Sequence, residues 1–439
     1  MIVDHFNAGL AGGAAIAARR IHDSLRDLGV DSRYWHFARR QTEALDASYR
    51  RVAWPQLADG RLASLANRVQ GRLRRNLNKF VARRSLAGRP EGYELFTLPR
   101  AGWKTPHDEQ TFAGQVLHLH WLGNALDYPS FFATVPDDLP IVWTLHDMNP
   151  LTGGCHYAAG CENFRSGCGN CPQLGRCGPR DLSARSFEIK EAALVGKNLH
   201  IVAVGKWLER LARTAPLTAA ARSFQTIHCG LDLEVLRPGD RAAARRSFDL
   251  PSDCTVVGFG ADSIDHRRKG LRELLAALSM LKTDKKTVGL VFGGGELPGT
   301  TVGNVEVRNV GFIAAKDRLA EMYAAMDLFA MPSLEEAFGM TGLEAMACGV
   351  PVVGFDTGGI IDYVRPRETG LLARVGDAAD LATNLETLVD NPQLRRSLGQ
   401  RAREMVEREF EAESQAHRYL ELYQSLTADR AVVRPREAA

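Results

Sequence analysis

"MIVDHFNAGLAGGAAIAARRIHDSLRDLGVDSRYWHF", residues 1–37, sets the architecture. A short apolar strand, "MIVDHF", runs into the glycine turn "GLAGG". The next stretch then places Ala14, Ala17, Ile21, Leu25 and Leu28 on one face of a helix. "VDSRYWHF" resumes strand character, so the opening is a strand–helix–strand unit of the kind that builds parallel sheets. "GQVLHLHWL", "LPIVWTLHD" and "LHIVAVG" add three strands apolar enough to be buried on both faces. "SFQTIHCGLD" closes this half near Asp232.

The rhythm then repeats. "TVVGFGA", "VGLVFGGGE", "VEVRNVGFI", "DLFAMP" and "PVVGFD" read as strands, and "GLRELLAALSML", "KDRLAEMYAAM" and "TGLEAMACG" as helices between them. "GLLARVG" is a final edge. This α/β alternation predicts two Rossmann-like, doubly wound parallel-sheet domains facing a central cleft. The first spans 1–232, with a basic insert at 61–89 and a cysteine-rich loop at 155–177. The second spans 233–410; a helix over 411–428 returns to the first domain, and 429–439 is a tail. A length of 439 residues exceeds a single core and agrees with two.

A formal charge of +3 gives little support to a nucleic-acid partner, and none is expected. The start lacks the basic and apolar regions of a signal peptide, and no run of about 18 apolar residues is present, so a cytoplasmic chain is expected. Residues 61–89 hold nine Arg or Lys and no acid. Leu62, Leu65, Val69, Leu73, Leu77 and Phe80 recur there at helical spacing. The segment reads as a solvated surface helix, as one lying on an anionic membrane surface, or as a polyanion or partner site.

Glycines at strand–helix junctions let phosphate approach the backbone, and Gly12 and Gly13 stand at the first such junction. "GLAGG" is not the GxGxxG of a dinucleotide dehydrogenase, and no acid ends the second strand. "HRRKG", 266–270, places Lys269 after a strand as a point charge for phosphate, with Arg267 and Arg268 beside it. In "EEAFGMTGLEAMACG", 335–349, Glu336 lies in a loop and Glu344 inside the following helix. Eight residues and a turn apart, they suit different parts of one extended ligand. Carboxylates accept the hydrogens of sugar and ribose diols, while Gly339, Met340 and Thr341 offer helix-start N–H groups to a diphosphate. Among the cysteines, Cys155, Cys161, Cys168 and Cys171 have gaps of five, six and two residues. They read as a structural zinc site with His156 and Cys177 in reserve, as packed reduced thiols, or as disulfides or an iron–sulfur cluster. His118 and His120 share one side of their strand and read as packed core histidines.

"PSLEEAFGMTGLEAMACGVPVVGFDTGG", 332–359, resembles the nucleotide-sugar signature of retaining glycosyltransferases of family 4, which have the GT-B fold. "VLRPGD", Lys269-Gly270 and "NVGFI" support it. "LHLHWLGN" and "WTLHDMNPLTGGCHYAAGCENFRSGCGNCPQLG" resemble a narrower group that assembles exopolysaccharide, capsule and lipopolysaccharide. The resemblance implies that Glu344 holds the donor ribose and that Glu336 contacts the transferred sugar, with the backbone at Phe338–Thr341. Lys269 and the Gly13 backbone would meet the diphosphate, Gly311, Phe312 and Ile313 the base, and His146 the reacting sugar. Asp147 would orient His146 or cap the next turn. Many relatives carry Gly-Arg where this chain has Gly260-Ala261, which leaves Arg267 or Arg268 to replace that arginine.

The implied reaction moves a hexose-type unit from a UDP- or GDP-sugar with retention, without a catalytic metal. The implied acceptor is a polyprenyl-diphosphate-linked oligosaccharide, the enzyme being peripheral on the inner face of the membrane. A free, small soluble acceptor, or a nucleotide-sugar sensor without turnover, are the alternatives; an epimerase or phosphorylase fits less well.

Overall fold

The computed structural model describes residues 1–38, 45–52, 84, 86–100, 113–297 and 299–433. Of the basic insert 61–89, all but Arg84 and residues 86–89 lies outside the described residues. The chain forms two compact units, Met1–Ile227 joined by the chain from Ala416, and His228–Gln415.

In the first unit, β1 (Ile2–Asn7), α1 (Gly13–Asp27) and β2 (Asp31–His36) form the opening motif. The chain continues through β3 (Tyr49–Arg51), β4 (Val116–Leu119), α2 (Tyr128–Phe132), β5 (Ile141–Leu145), α3 (Leu182–Leu194), β6 (Leu199–Ala203), α4 (Lys206–Thr214) and β7 (Ser223–Thr226). The sheet order is β3-β2-β1-β4-β5-β6-β7, parallel at every pair. Every residue of β4, β5 and β6 is buried, which is why these strands read as apolar runs, each interrupted by one polar residue: His118, Thr144 and His200.

The second unit holds α5 (Arg241–Ser247), β8 (Thr255–Ser263), α6 (Leu271–Ser279), β9 (Thr287–Gly294), β10 (Thr300–Val302), β11 (Val305–Asn309), α7 (Lys316–Ala324) and β12 (Leu328–Met331). It is completed by α8 (Met340–Ala347), β13 (Val352–Phe355), β14 (Gly370–Ala373), α9 (Ala378–Asp390) and α10 (Pro392–Glu409). Its sheet order is β10-β11-β9-β8-β12-β13-β14, with β10 alone antiparallel. Both sheets are doubly wound, as the sequence rhythm predicts. The edge strands β3 and β10 carry no sequence signal because each has three residues.

The last helix, α11 (Ala412–Val433), continues past residue 428 to Val433. The Ala428–Ala431 stretch holds no helix breaker, so nothing local stops it at the end expected from sequence. Its Ala416, Tyr419 and Tyr423 pack with Val3, Ile21, Leu25, Val116, Val142 and Val202 into the core of the first unit.

That core contains a column of imidazoles. His5, His118 and His120 are each at most 1% exposed. Tyr423 Oη lies 2.6 Å from His118 Nδ1, and His118 Nε2 lies 2.7 Å from Thr144 Oγ1. Thr144 in turn pairs with Tyr419 Oη at 2.9 Å. His22 is held by Ser32 and Ser48. Burial disfavours the imidazolium at each site, holding His5, His118 and His120 well below their ordinary range and His22 at about 3. The unfolded chain takes up these protons near pH 6.5 and the folded chain does not. Stability is therefore full above pH 6.5 and falls below it, by roughly 1 kcal/mol per histidine for each pH unit. Urea midpoints should drop steeply between pH 8 and pH 5.5; equal midpoints would show that these rings do protonate in place.

Candidate active site

Strand order in the second sheet reverses between β8 and β12, the place where doubly wound sheets leave a crevice at their carboxyl ends. Two loops meet there. After β8 the chain makes a tight turn over Arg267–Lys269, and after β12 it runs from Pro332 to Gly339. Gly270, with φ 76°, allows the contact: a Cβ there would lie 1.8 Å from the Pro332 carbonyl oxygen. The Leu334 N–H donates to the Arg268 carbonyl at 2.7 Å and ties the loops together.

Glu336 is the product of that junction. Its Oε2 accepts from Lys269 Nζ at 2.6 Å, Arg268 Nη1 at 3.1 Å and Ser333 Oγ at 3.2 Å. Burial pushes this carboxyl up, but the Lys269 and Arg268 charges outweigh burial and hold it at about 2. Its backbone is seated on Gly358-Gly359. A Cβ on Gly358 (φ 57°) would fall 1.8 Å from the Glu336 oxygen, to which the Gly359 N–H donates at 3.0 Å. The structure thus brings Arg268, Lys269 and Glu336 together. Arg267 turns to α6 instead, where Glu273 takes both its terminal nitrogens at 2.8 and 2.6 Å.

Beside this cluster, Gly339 (φ 88°) begins α8 without a side-chain cap, leaving the Met340 and Thr341 N–H groups at the helix start. Glu344, one turn further on, is half-buried and accepts from Tyr323 Oη at 3.0 Å. The apolar run around it points to a buried charge; the helix instead turns it to the edge of the apolar core, and the α7 phenol satisfies it. The Phe338 ring stacks on His228 (5.5 Å between centroids) and packs on Tyr363, so it leaves its backbone to the loop. His228 pairs with Asp362 at 3.2 Å, a contact that no local pattern announces. Gly311, Phe312 and Ile313 follow β11; the Gly293 N–H, at the end of β9, donates to the Gly311 carbonyl at 2.9 Å, and Phe312 is 63% exposed.

In the first unit, Gly12 (φ 90°) and Gly13 stand at the β1–α1 junction, with open space around both. His146 follows β5. Its Nε2 lies 3.2 Å from His120 Nδ1, and His120 Nε2 lies 3.0 Å from His5 Nδ1. His5 Nε2 has no hydrogen-bond partner among the described residues. A buried lone pair is cheaper to leave unpaired than a buried N–H. The column therefore runs His5 Nδ1–H to His120, His120 Nδ1–H to His146, and leaves the His146 proton on Nδ1. Burial lowers His146 to about 4, so the ring is neutral at pH 7. Asp147 caps the next turn through the Asn149 N–H (2.8 Å) and binds His156 Nδ1 (2.6 Å) and Trp121 Nε1 (2.8 Å). Nitrogens of His5, His118 and His120 lie within 4.8 Å of one another, as in a metal site. The hydrogen bonds of His118 and His120 mark them instead as core residues.

The architecture is that of GT-B glycosyltransferases. The structure of sucrose-phosphate synthase from Thermosynechococcus elongatus superimposes with a TM-score of 0.68 at 21% identity, covering 98% of this chain and 99% of that one. Anabaena HepE in complex with UDP and glucose gives 0.60 at 17%, covering 97% and 100%. Residues 262–405, which hold Arg268, Lys269, Glu336 and Glu344, match the family of glycosyl transferases group 1: the second unit carries a group 1 glycosyltransferase domain. D-inositol 3-phosphate glycosyltransferase of Rhodococcus jostii is 36% identical over 213 residues, 46% of this chain and 47% of its own. The chain spans about half the length of the curated relatives it matches.

Lys269→Met would leave the buried Glu336 with Arg268 and Ser333, at a cost of about 1–3 kcal/mol. In a double-mutant cycle, Lys269→Met with Glu336→Gln should cost less than the two single losses added together. Strict additivity would mean that the ion pair does not exist in solution.

Proposed function

We propose that this protein is a retaining hexosyltransferase using a nucleotide diphosphate sugar. The observation that carries this reading is the convergence of Lys269, Arg268 and Glu336 at the switch point of the second sheet, beside the uncapped start of α8. Lys269, Arg268 and the Met340 and Thr341 N–H groups receive the diphosphate. Glu344 accepts hydrogens from the ribose diol, Glu336 serves the transferred sugar, and Gly311–Ile313 border the base. In the transfer, the bond from the anomeric carbon to the diphosphate breaks and a bond to an acceptor hydroxyl forms on the same face. The hydroxyl proton passes to the departing phosphate. Charge grows on that phosphate as the bond breaks, so fixed cations favour the transition state over the bound donor.

HepE has been solved with UDP-glucose, which makes a uridine donor the first to test. The basic stretch 61–89 favours an acceptor carried on an anionic membrane, such as a polyprenyl-diphosphate-linked oligosaccharide. The Rhodococcus relative, named a D-inositol 3-phosphate glycosyltransferase, favours a small soluble acceptor as the second reading. Vesicle sedimentation with and without residues 61–89 separates them: loss of binding on deletion supports the first, and no binding by the intact chain supports the second.

A thermal-shift panel of nucleotide diphosphate sugars tests the donor. At a hundredfold excess over Kd the right donor adds about 2.7 kcal/mol of stability. Glu344→Ala should weaken that donor by roughly tenfold or more, a loss of about 1.4 kcal/mol. His146→Ala should lower kcat while leaving the donor shift in place. No shift with any such donor, or an unchanged one in Glu344→Ala, would remove the proposal.

A further inference from the structure

The loop between the short turn at Asn149–Leu151 and α3 has no strand and only one turn of tight helix, at Asn163–Ser166. Gly167, Cys168, Gly169 and Asn170 are all left-handed, an arrangement that a chain does not hold without something to hold it. Its apolar support is a small cluster of Phe96, Cys171 and Leu174. Within it is a cavity of about 20 Å³ whose lining includes Cys155, Cys161, Cys168 and Cys171; no three of their sulfurs lie within 4.8 Å of one another, so an ion bound there would draw them together. All four are free thiols. Backbone packing closes the space around them: a Cβ on Gly153 would meet the Ser183 carbonyl oxygen at 2.0 Å, and one on Gly169 the Pro179 oxygen at 2.6 Å. The Gly153 N–H already donates to Cys168 Sγ at 3.2 Å.

Two cations stand beside the cysteines, and one carboxylate, Asp181, accepts from the Cys171 N–H at 2.8 Å. Lys190 of α3 is 1% exposed, and its ammonium donates to the Asn149 carbonyl (2.6 Å), the Thr152 carbonyl (3.0 Å) and Asn149 Oδ1 (3.3 Å). No carboxylate pairs with it among the described residues, which is costly for a buried ammonium. Cys155, Asp147 and Cys168 are the groups whose charge would favour this ammonium. Arg89, bonded to the Gln173 carbonyl at 3.0 Å, stands near Cys171 and Cys155. The two reserve ligands are otherwise engaged: His156 is held by Asp147 and Thr97, and Cys177 is exposed and outside the cavity lining.

We propose that Cys155, Cys161, Cys168 and Cys171 bind one structural zinc ion, whose tetrathiolate charge Lys190 and Arg89 balance. Four thiols release four protons, and the ion brings two positive charges, so the closed site carries two negative ones. Four thiolates satisfy a tetrahedral ion and leave no open position for substrate or water. The site is independent of the donor site, and its failure would leave the transferase reading intact.

Elemental analysis of protein purified without a histidine tag should find about one zinc per chain. Exchange with Co²⁺ should give the strong near-ultraviolet charge-transfer band of a thiolate site. Cys168→Ser should weaken metal binding by roughly tenfold or more, whereas Cys177→Ser and Cys229→Ser should retain the ion. Should Cys168→Ser not fold, the unmodified protein decides, because chelation must raise its count of reactive thiols by four. A protein isolated without metal that ignores added Zn²⁺ and Co²⁺, or a Cys168→Ser variant that binds as well as the parent, would overturn the proposal.

Discussion

A carboxylate with almost no access to water, gripped by two cations from a different loop, organises the second unit. Glu336 cannot be charged in that position without Lys269 and Arg268, and they reach it because Gly270 lets one loop rest on Pro332. The glycine pair at 358–359 supports the same carboxylate from behind. Loops after β8, β12 and β13 are thereby locked to one another, and α8 starts from a fixed point. On the proposed function, the cluster would perform a structural task and a chemical one with the same atoms. Cations that hold a carboxylate in the folded protein would, on that reading, also meet phosphate oxygens.

The first unit solves its burial problem differently. Its core accepts imidazoles, and it keeps them neutral by packing and by passing one hydrogen bond to the next. His146 is the outer end of this column, so its tautomer is set by His120 and, behind that, by His5. The tyrosines of α11 satisfy the inner members, which gives this helix a polar reason, besides its apolar face, to sit against β4 and β5.

The cysteine loop is the third arrangement. It lacks both the ladder hydrogen bonds of a sheet and the apolar face of a helix, and its left-handed residues add strain. What it has is four cysteines lining one small space, with a buried ammonium that no carboxylate pairs with among the described residues. Asp147, directly after His146, binds His156 of this loop at 2.6 Å, so whatever rigidifies the loop also fixes the frame of that histidine.

The sequence by itself determined the layer structure. Apolar runs bounded by glycines are local signals, and βα alternation leaves few topologies open. It also singled out Lys269, Glu336 and Glu344, from their places after strands and from the resemblance of 332–359 to a nucleotide-sugar signature. The tertiary structure decided everything that depends on contacts across long separations. Arg268, not Arg267, joins Lys269 because the turn after β8 sends Arg267 toward α6 and both Arg268 and Lys269 toward the loop after β12. Tyr323 satisfies Glu344 from a different helix, His228 meets Asp362 across 134 residues, and Lys190 donates to the Asn149 and Thr152 carbonyls. No period or motif encodes such pairs. They follow from the sheet order, which places segments distant in the chain side by side and excludes the water that would otherwise have satisfied them.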